Sequence, residues 1–193
     1  MCDKRIKTVV FGGSFDPIHN GHIALAREVV SRGMAQEVWF MVSPQNPHKT
    51  DCRLTDENVR LLMVQKAIEG EMGFVACDFE FSLPRPSYTL HTLDALEKAY
   101  PDRCFTLLVG ADNWEKFDKW YKGDEIVRRF GLVVYPRGGE SMPSLSQGIV
   151  WLDAELHDVS STQIRDILVS GGDASPFLPP AVHKYIVENK LYK

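Results

Sequence analysis

The sequence predicts an α/β chain: a doubly wound, mostly parallel sheet with helices on both faces. Three observations carry that expectation. Short apolar runs alternate with segments of helical period from one end to the other. The runs are continuously apolar instead of alternating, as strands buried on both faces are. No internal repeat or low-complexity tract interrupts the order.

Taken in order, Thr8-Val9-Val10-Phe11 is the first strand. A glycine pair follows, then a helix over about His22 to Arg32 with Ile23, Ala26 and Val30 on one face and Gly33 as its stop. Val38 to Val42 is the second strand, closed by Ser43-Pro44. A helix over Asp56 to Glu69 puts Val59, Leu62, Met63 and Ala67 inward. Phe74 to Cys77 is a strand, Tyr88 to Ala99 a helix, and Phe105 to Val109 a strand ending at Gly110. Leu132 to Tyr135 and Ile149 to Leu152 are two more strands. Helices near Ser161 to Val169 and Pro180 to Glu188 close the chain. The Gly-, Ser- and Pro-rich stretch Gly138 to Gly148 reads as a loop within one domain spanning residues 1–193.

Composition excludes several classes. With 193 residues, 44% hydrophobic and 25% charged, the chain can bury a full core without staples. Lys+Arg 22 against Asp+Glu 26 leaves a net charge of -4, with no basic excess for nucleic acid. No run approaches ~20 apolar residues, so no membrane partner is expected. The polar start is unlike an export signal, which points to the cytoplasm. Cys2, Cys52, Cys77 and Cys104 are scattered, without a C-x-x-C pair, and read as reduced thiols.

In such sheets ligands bind beyond the carboxyl ends of the strands. Beyond the first strand stands Gly12-Gly13-Ser14-Phe15-Asp16-Pro17-Ile18-His19-Asn20-Gly21-His22. Neither G-x-G-x-x-G nor G-x-x-x-x-G-K-[ST] is present. Instead two histidines three apart open a helix, on one side of it. Free backbone N–H groups there attract anions, and Gly12, Gly13 and Gly21 let a ligand approach the backbone. The pattern suits a polyphosphate. Alone, the histidine pair also reads as surface residues after a turn capped by Asn20, or as a metal pair lacking its third ligand.

The G-x-F-x-P-x-H-x-G-H string resembles the signature of the nucleotidyltransferase superfamily that includes nucleotide and phosphopantetheine adenylyltransferases. That resemblance implies a Rossmann-like fold and transfer of a nucleotidyl group with pyrophosphate leaving. It places His19 and His22 on the triphosphate of ATP, with Gly12, Gly13, Ser14, Phe15 and Gly21 lining the nucleotide.

Val159-Ser160-Ser161-Thr162-Gln163-Ile164-Arg165 has capping-box spacing at Ser160 and Gln163, so a helix should begin there and end at Gly171-Gly172. An arginine in its first turn suits a doubly charged phosphate, because its planar fork donates two parallel hydrogen bonds. By itself the segment reads first as a well-capped surface helix. It resembles the second superfamily signature, which implies that Ser160, Ser161, Thr162 and Arg165 hold the β and γ phosphates.

The middle segments Pro47-His48-Lys49, Ser87-Tyr88-Thr89, Gly110-Ala111-Asp112 and Trp120-Tyr121 stand in the order and separation of the bacterial nicotinate-nucleotide adenylyltransferase family. The resemblance covers nearly the whole chain, including Tyr135-Pro136-Arg137. It implies adenylyl transfer from ATP to nicotinate mononucleotide, giving deamido-NAD and pyrophosphate, with His19, His22 and Arg165 as the catalytic set. Lys49, Thr89, Trp120, Tyr121 and Arg137 would face the acceptor, and Gly110 and Asp112 the adenosine. Mg²⁺ would bridge phosphate oxygens, with no dedicated ligand set from the chain. A homo-oligomer stays open. So do the amide nucleotide or phosphopantetheine as acceptor, and a non-catalytic nucleotide sensor. An NAD-dependent oxidoreductase would need a dinucleotide fingerprint that is missing.

Overall fold

The computed structural model describes residues 4–44, 54–85, 87–135, 148–152 and 159–193. Six strands form one sheet: β1 Ile6–Gly13, β2 Glu37–Val42, β3 Phe74–Cys77, β4 Arg103–Gly110, β5 Leu132–Tyr135 and β6 Ile149–Trp151. Their order is β3-β2-β1-β4-β5-β6, and every neighbouring pair is parallel. The central strands are covered on both sides, so their residues divide between two cores, while Val75 of β3 and Val150 of β6 are exposed at the edges. Val9 and Phe11 of β1 face one core and Val10 the other; Phe40 and Trp39 of β2 divide the same way.

Seven helices cover the sheet: α1 Asn20–Ser31, α2 Glu57–Ala67, α3 Thr89–Ala99, α4 Ala111–Trp114, α5 Gly123–Phe130, α6 Ser161–Val169 and α7 Pro180–Glu188. Buried residues of α1, α2, α6 and α7 join the first core, while those of α3 and α5 join the second. The chain thus winds β1-α1-β2-α2-β3 outward on one face. It then crosses back beyond β1 to build β4-α5-β5 on the other. That reversal puts the topological switch between β1 and β4 and leaves a crevice at their carboxyl ends.

Helix ends follow the sequence closely. Gly33, at φ +67°, ends α1 with N–H bonds from Gly33 to the Val30 carbonyl (2.9 Å) and from Met34 to that of Val29 (3.1 Å). Ser160 caps α6 as expected: its hydroxyl accepts from the Gln163 N–H at 3.2 Å, and its own N–H donates to Gln163 Oε1 at 2.8 Å.

Four expectations are corrected. The sequence reading has no helix between β4 and β5, yet parallel neighbours require a crossover, and α5 supplies it. Its eight residues carry a short signal: Ile126 and Phe130 buried four apart, acids in the first turn, and Arg128 and Arg129 in the last. On α2, Met63 is buried and Val59 and Ala67 pack against the core as expected, but Leu62 is 37% exposed and Arg60 and Val64 are buried instead. Arg165 is the fifth residue of α6, one place beyond the first turn. Cys77 is a free buried thiol, pushed by burial up to about 11, but Cys104 is disulfide-bonded instead of reduced. The loop placed at Gly138 to Gly148 lies outside the described residues but for Gly148. No helix among the described residues is long and apolar enough to cross a membrane.

Candidate active site

The crevice floor is built at the end of β1. Gly12 is exposed there, and a Cβ added to it would meet nothing within 4 Å. Gly13 has a different reason to be glycine. A Cβ there would stand 3.0 Å from the ring of Phe15, so the bare backbone admits that ring instead of a ligand. Phe15 is buried at φ +47°, a left-handed conformation costly for a residue of its size. Its ring meets Phe11, Phe40 and His22 edge-on at centroid separations of 5.5, 5.7 and 5.1 Å. Across the crevice Gly110, at the end of β4, is closely covered by the Tyr135 ring, 3.0 Å from where its Cβ would be.

His19, not Asn20, is the residue at the N-terminal boundary of α1; Asn20 opens the helix and its amide donates to the Pro176 carbonyl at 3.1 Å. The His19 and His22 rings lie against each other at a 33° tilt with centroids 3.7 Å apart, and His22 Nδ1 accepts the His19 backbone N–H at 3.2 Å. No acidic residue occupies the first turn of α1 or of α6. Neither helix start is therefore offset by a carboxylate, and each keeps the positive potential of its aligned backbone dipoles.

The two motifs meet, through contacts between residues 144 and 149 apart in sequence. The Ser161 hydroxyl donates to the Pro17 carbonyl at 2.9 Å, and Arg165 Nη1 donates to the Asp16 carbonyl at 2.6 Å. Arg165 Nη2 donates to Thr162 Oγ1 at 3.1 Å, which fixes the plane of the guanidinium. The start of α6 is thereby clamped to the loop that leads into His19.

Beneath that loop lies a hub the sequence reading missed. Arg60 is 1% exposed. It donates to the carbonyls of Ser14 (2.6 Å), Ser43 (2.9 Å), Pro44 (3.2 Å) and Thr55 (2.8 Å). Burial lowers its pKa, opposed first by the charge of Asp16. Asp16, also buried, accepts from the Tyr192 hydroxyl at 2.5 Å and from the Thr55 N–H at 3.2 Å. One guanidinium so holds the loops after β1 and β2 together. Its sequence signal is a single charged residue on the apolar side of a helix.

On the acceptor side, Thr89 is the first residue of α3 and Tyr88 precedes it. The Tyr121 ring lies 5.0 Å from that of Tyr88 and 5.3 Å from that of His91, so the two acceptor segments converge. Trp120 is half-buried beside Phe117, centroids 5.1 Å apart. Behind them the Thr92 hydroxyl donates to Glu80 at 2.9 Å; burial raises that carboxyl above the usual range. Asp112 is exposed in the first turn of α4. Lys49 and Arg137 lie outside the described residues.

Residues 10–167 match the cytidylyltransferase-like family. A Bacteroides fragilis protein named "Probable nicotinate-nucleotide adenylyltransferase" is 46% identical over 186 residues, covering 95% of this chain and 92% of the relative. The chain belongs to the nicotinate-nucleotide adenylyltransferase family. A Bacteroides thetaiotaomicron member of the same name is 42% identical over 186 residues, with 95% and 92% covered. The fold agrees with the Plasmodium falciparum nicotinic acid mononucleotide adenylyltransferase solved in complex with NaAD. The TM-score is 0.80 at 18% identity, over 97% of this chain and 98% of that one. As a nicotinate-nucleotide adenylyltransferase family member, the chain has the Rossmann-like nucleotidyltransferase fold expected from its sequence.

Proposed function

We propose that the chain transfers the adenylyl group of ATP to nicotinate mononucleotide, giving deamido-NAD and pyrophosphate. One observation carries the reading: the clamp that seats Arg165 and the start of α6 against the loop entering His19 and His22. Two acid-free helix starts, two imidazoles and a guanidinium converge on one crevice, which suits a triphosphate.

The acceptor's 5′-phosphate oxygen attacks the α-phosphorus of ATP, and the bond to the β-phosphate oxygen breaks. No protein nucleophile takes part, so the chain aligns two anions and offsets their charge. His22 Nε2–H and His19 face the developing charge, and Arg165 with Ser160, Ser161 and Thr162 holds the β and γ phosphates. Gly12, Ser14, Gly21, Gly110 and Asp112 line the nucleotide. The Thr89 and Tyr121 N–H groups and the Trp120 ring receive the nicotinate, with Lys49 and Arg137 on the acceptor side.

Mg²⁺ is the proposed metal. Asp16, in the loop that leads to His19, has both carboxylate oxygens engaged, by the Tyr192 phenol and the Thr55 N–H. That donor set fits an ion carried on phosphate oxygens and water, where it would neutralise phosphate charge. The proposed compartment is the cytoplasm. Pyrophosphate release with ATP and a panel of acceptors tests the reading: nicotinate mononucleotide should be turned over best, and no turnover with any pyridine nucleotide would refute it.

A further inference from the structure

Asp16 sits between the strained Phe15 and the cis-Pro17 that leads to His19, and it is 2% exposed. Its carboxylate is held at one oxygen by the Tyr192 phenol, 2.5 Å away, and at the other by the Thr55 N–H. Its carbonyl receives Arg165 Nη1 at 2.6 Å. The route from the chain's last turn to the phosphate-facing guanidinium is therefore two hydrogen bonds long, with one residue between them.

The backbone that delivers the phenol is an unfavourable one. After α7, Lys190 stands at φ +52° where glycine is usual, and the Leu191 N–H returns to the Ile186 carbonyl at 3.0 Å. Tyr192 follows at φ +60°. Two side-chain-bearing residues in left-handed backbone within three positions are costly. They are not needed to hold α7 down, since Val182 and Ile186 are already buried in the core. Besides packing Leu191 and the Tyr192 ring against that core, they bring one phenol against one buried carboxylate. Burial, and then the Asp16 charge, raise the pKa of that phenol, so it stays a proton donor.

We infer that Tyr192 is a positioning residue for adenylyl transfer: by holding Asp16 it fixes the carbonyl that orients Arg165. The inference rests on the reading of Arg165 as a β/γ-phosphate contact. Tyr192 itself touches no substrate. A purely structural tyrosine would change the melting temperature and both substrates' parameters alike, whereas a positioning one acts on ATP through Arg165.

The test is a kinetic double-mutant cycle on the full chain with Tyr192→Phe, Arg165→Ala and the pair, varying ATP and nicotinate mononucleotide separately. Tyr192→Phe should lower kcat/KM for ATP about tenfold, the scale of a hydrogen bond to a charged group. The acceptor KM should hold within about twofold, and the double variant should be no worse than Arg165→Ala alone. Wild-type kcat/KM for ATP in Tyr192→Phe, or a double variant showing the product of the two losses, would overturn the inference and leave the Arg165 loss standing. An Arg165→Ala variant with full activity would instead overturn the phosphate reading, and this inference with it. Should Tyr192→Phe not fold, Asp16→Asn keeps the shape but turns an amide NH₂ against one of the two donors, the Tyr192 phenol or the Thr55 N–H, and so loosens the same hold. The same non-additivity with Arg165→Ala is expected of it, and additivity would count against the inference.

Discussion

His22 Nδ1 accepts the backbone N–H of His19 at 3.2 Å, and this single contact assigns the imidazole's proton. An Nδ1 that accepts has no hydrogen, so the neutral ring carries its proton on Nε2 and presents it as a donor. Structure and chemistry can be separated on that basis. In His22→Asn the amide oxygen takes the place of Nδ1 and still receives the His19 N–H, but no donor remains at the Nε2 position. The variant should melt close to wild type and lose roughly 10²- to 10³-fold in turnover, the scale of losing one charge-stabilising donor. Near-normal turnover with collapsed ATP affinity would remove the imidazole from the transition state.

Arg165 donates through both terminal nitrogens, to the Asp16 carbonyl and to Thr162, and so keeps its fork in a fixed plane. Lysine preserves the charge but cannot keep both contacts and still present a planar pair of donors. Arg165→Lys should therefore lower kcat/KM with ATP, and lower it less with an analogue that lacks the γ-phosphate. Equal losses with the two nucleotides would argue against a β/γ contact.

The Arg60 side chain reaches the carbonyls of Ser14, Ser43, Pro44 and Thr55 together. Arg60→Met keeps the stem but strands those carbonyls and removes a buried positive charge that offsets Asp16. A loss on the order of 3–5 kcal/mol is expected in urea unfolding, as for breaking a buried charge pair. Lysine should rescue little of it, since one ammonium cannot span four acceptors. Full rescue by lysine would show that charge alone matters there.

Glu80 makes a pH-dependent prediction. Burial raises its carboxyl pKa, opposed by hydrogen bonds from Thr92 and Ser43, so the folded protein favours the protonated acid. Its contribution to stability is then greatest below the ordinary carboxylate range and declines as pH rises through the raised value. Glu80→Gln is neutral at every pH. Its melting temperature should equal or exceed wild type near about pH 8, and that advantage should vanish by about pH 4. A variant equally destabilised at both pH values would assign the effect to lost hydrogen bonds, not to charge.

Local signals were legible and long-range ones were not. The strand runs, the Gly33 stop and the Ser160–Gln163 box depend on residues a few positions apart, and each stands where the sequence puts it. The histidine pair and Arg165 are likewise readable, because their motifs are contiguous. Arg60 defeats periodicity: a charged residue on the inner face of α2 looks like an exposed one until four carbonyls surround it. The Tyr192–Asp16 bond joins residues 176 apart, and no pattern in either neighbourhood announces the other. The helix α5 is too short for its two buried residues to establish a period.

Acceptor choice follows from the chemistry of the α3 start. The nicotinic acid and amide nucleotides differ by one negative charge and by the polarity of one hydrogen-bonding group. Thr89 is the first residue of α3, so its N–H has no partner within the helix. Contact between the Tyr88 and Tyr121 rings brings the second segment alongside it. Backbone donors favour a carboxylate by charge, and they set donor against donor for an amide NH₂. An unpaired polar group in a closed site costs about 1–3 kcal/mol, which corresponds to a preference for the acid of roughly ten- to a hundredfold. Trp120, seated against Phe117, offers a ring face that both acceptors can stack on equally. Trp120→Ala should therefore weaken both while leaving their kcat/KM ratio nearly unchanged. A wild-type ratio near one would remove the donor-lined pocket from the argument. A ratio that collapses only in Trp120→Ala would move the selectivity onto the indole and away from the Thr89 and Tyr121 backbone.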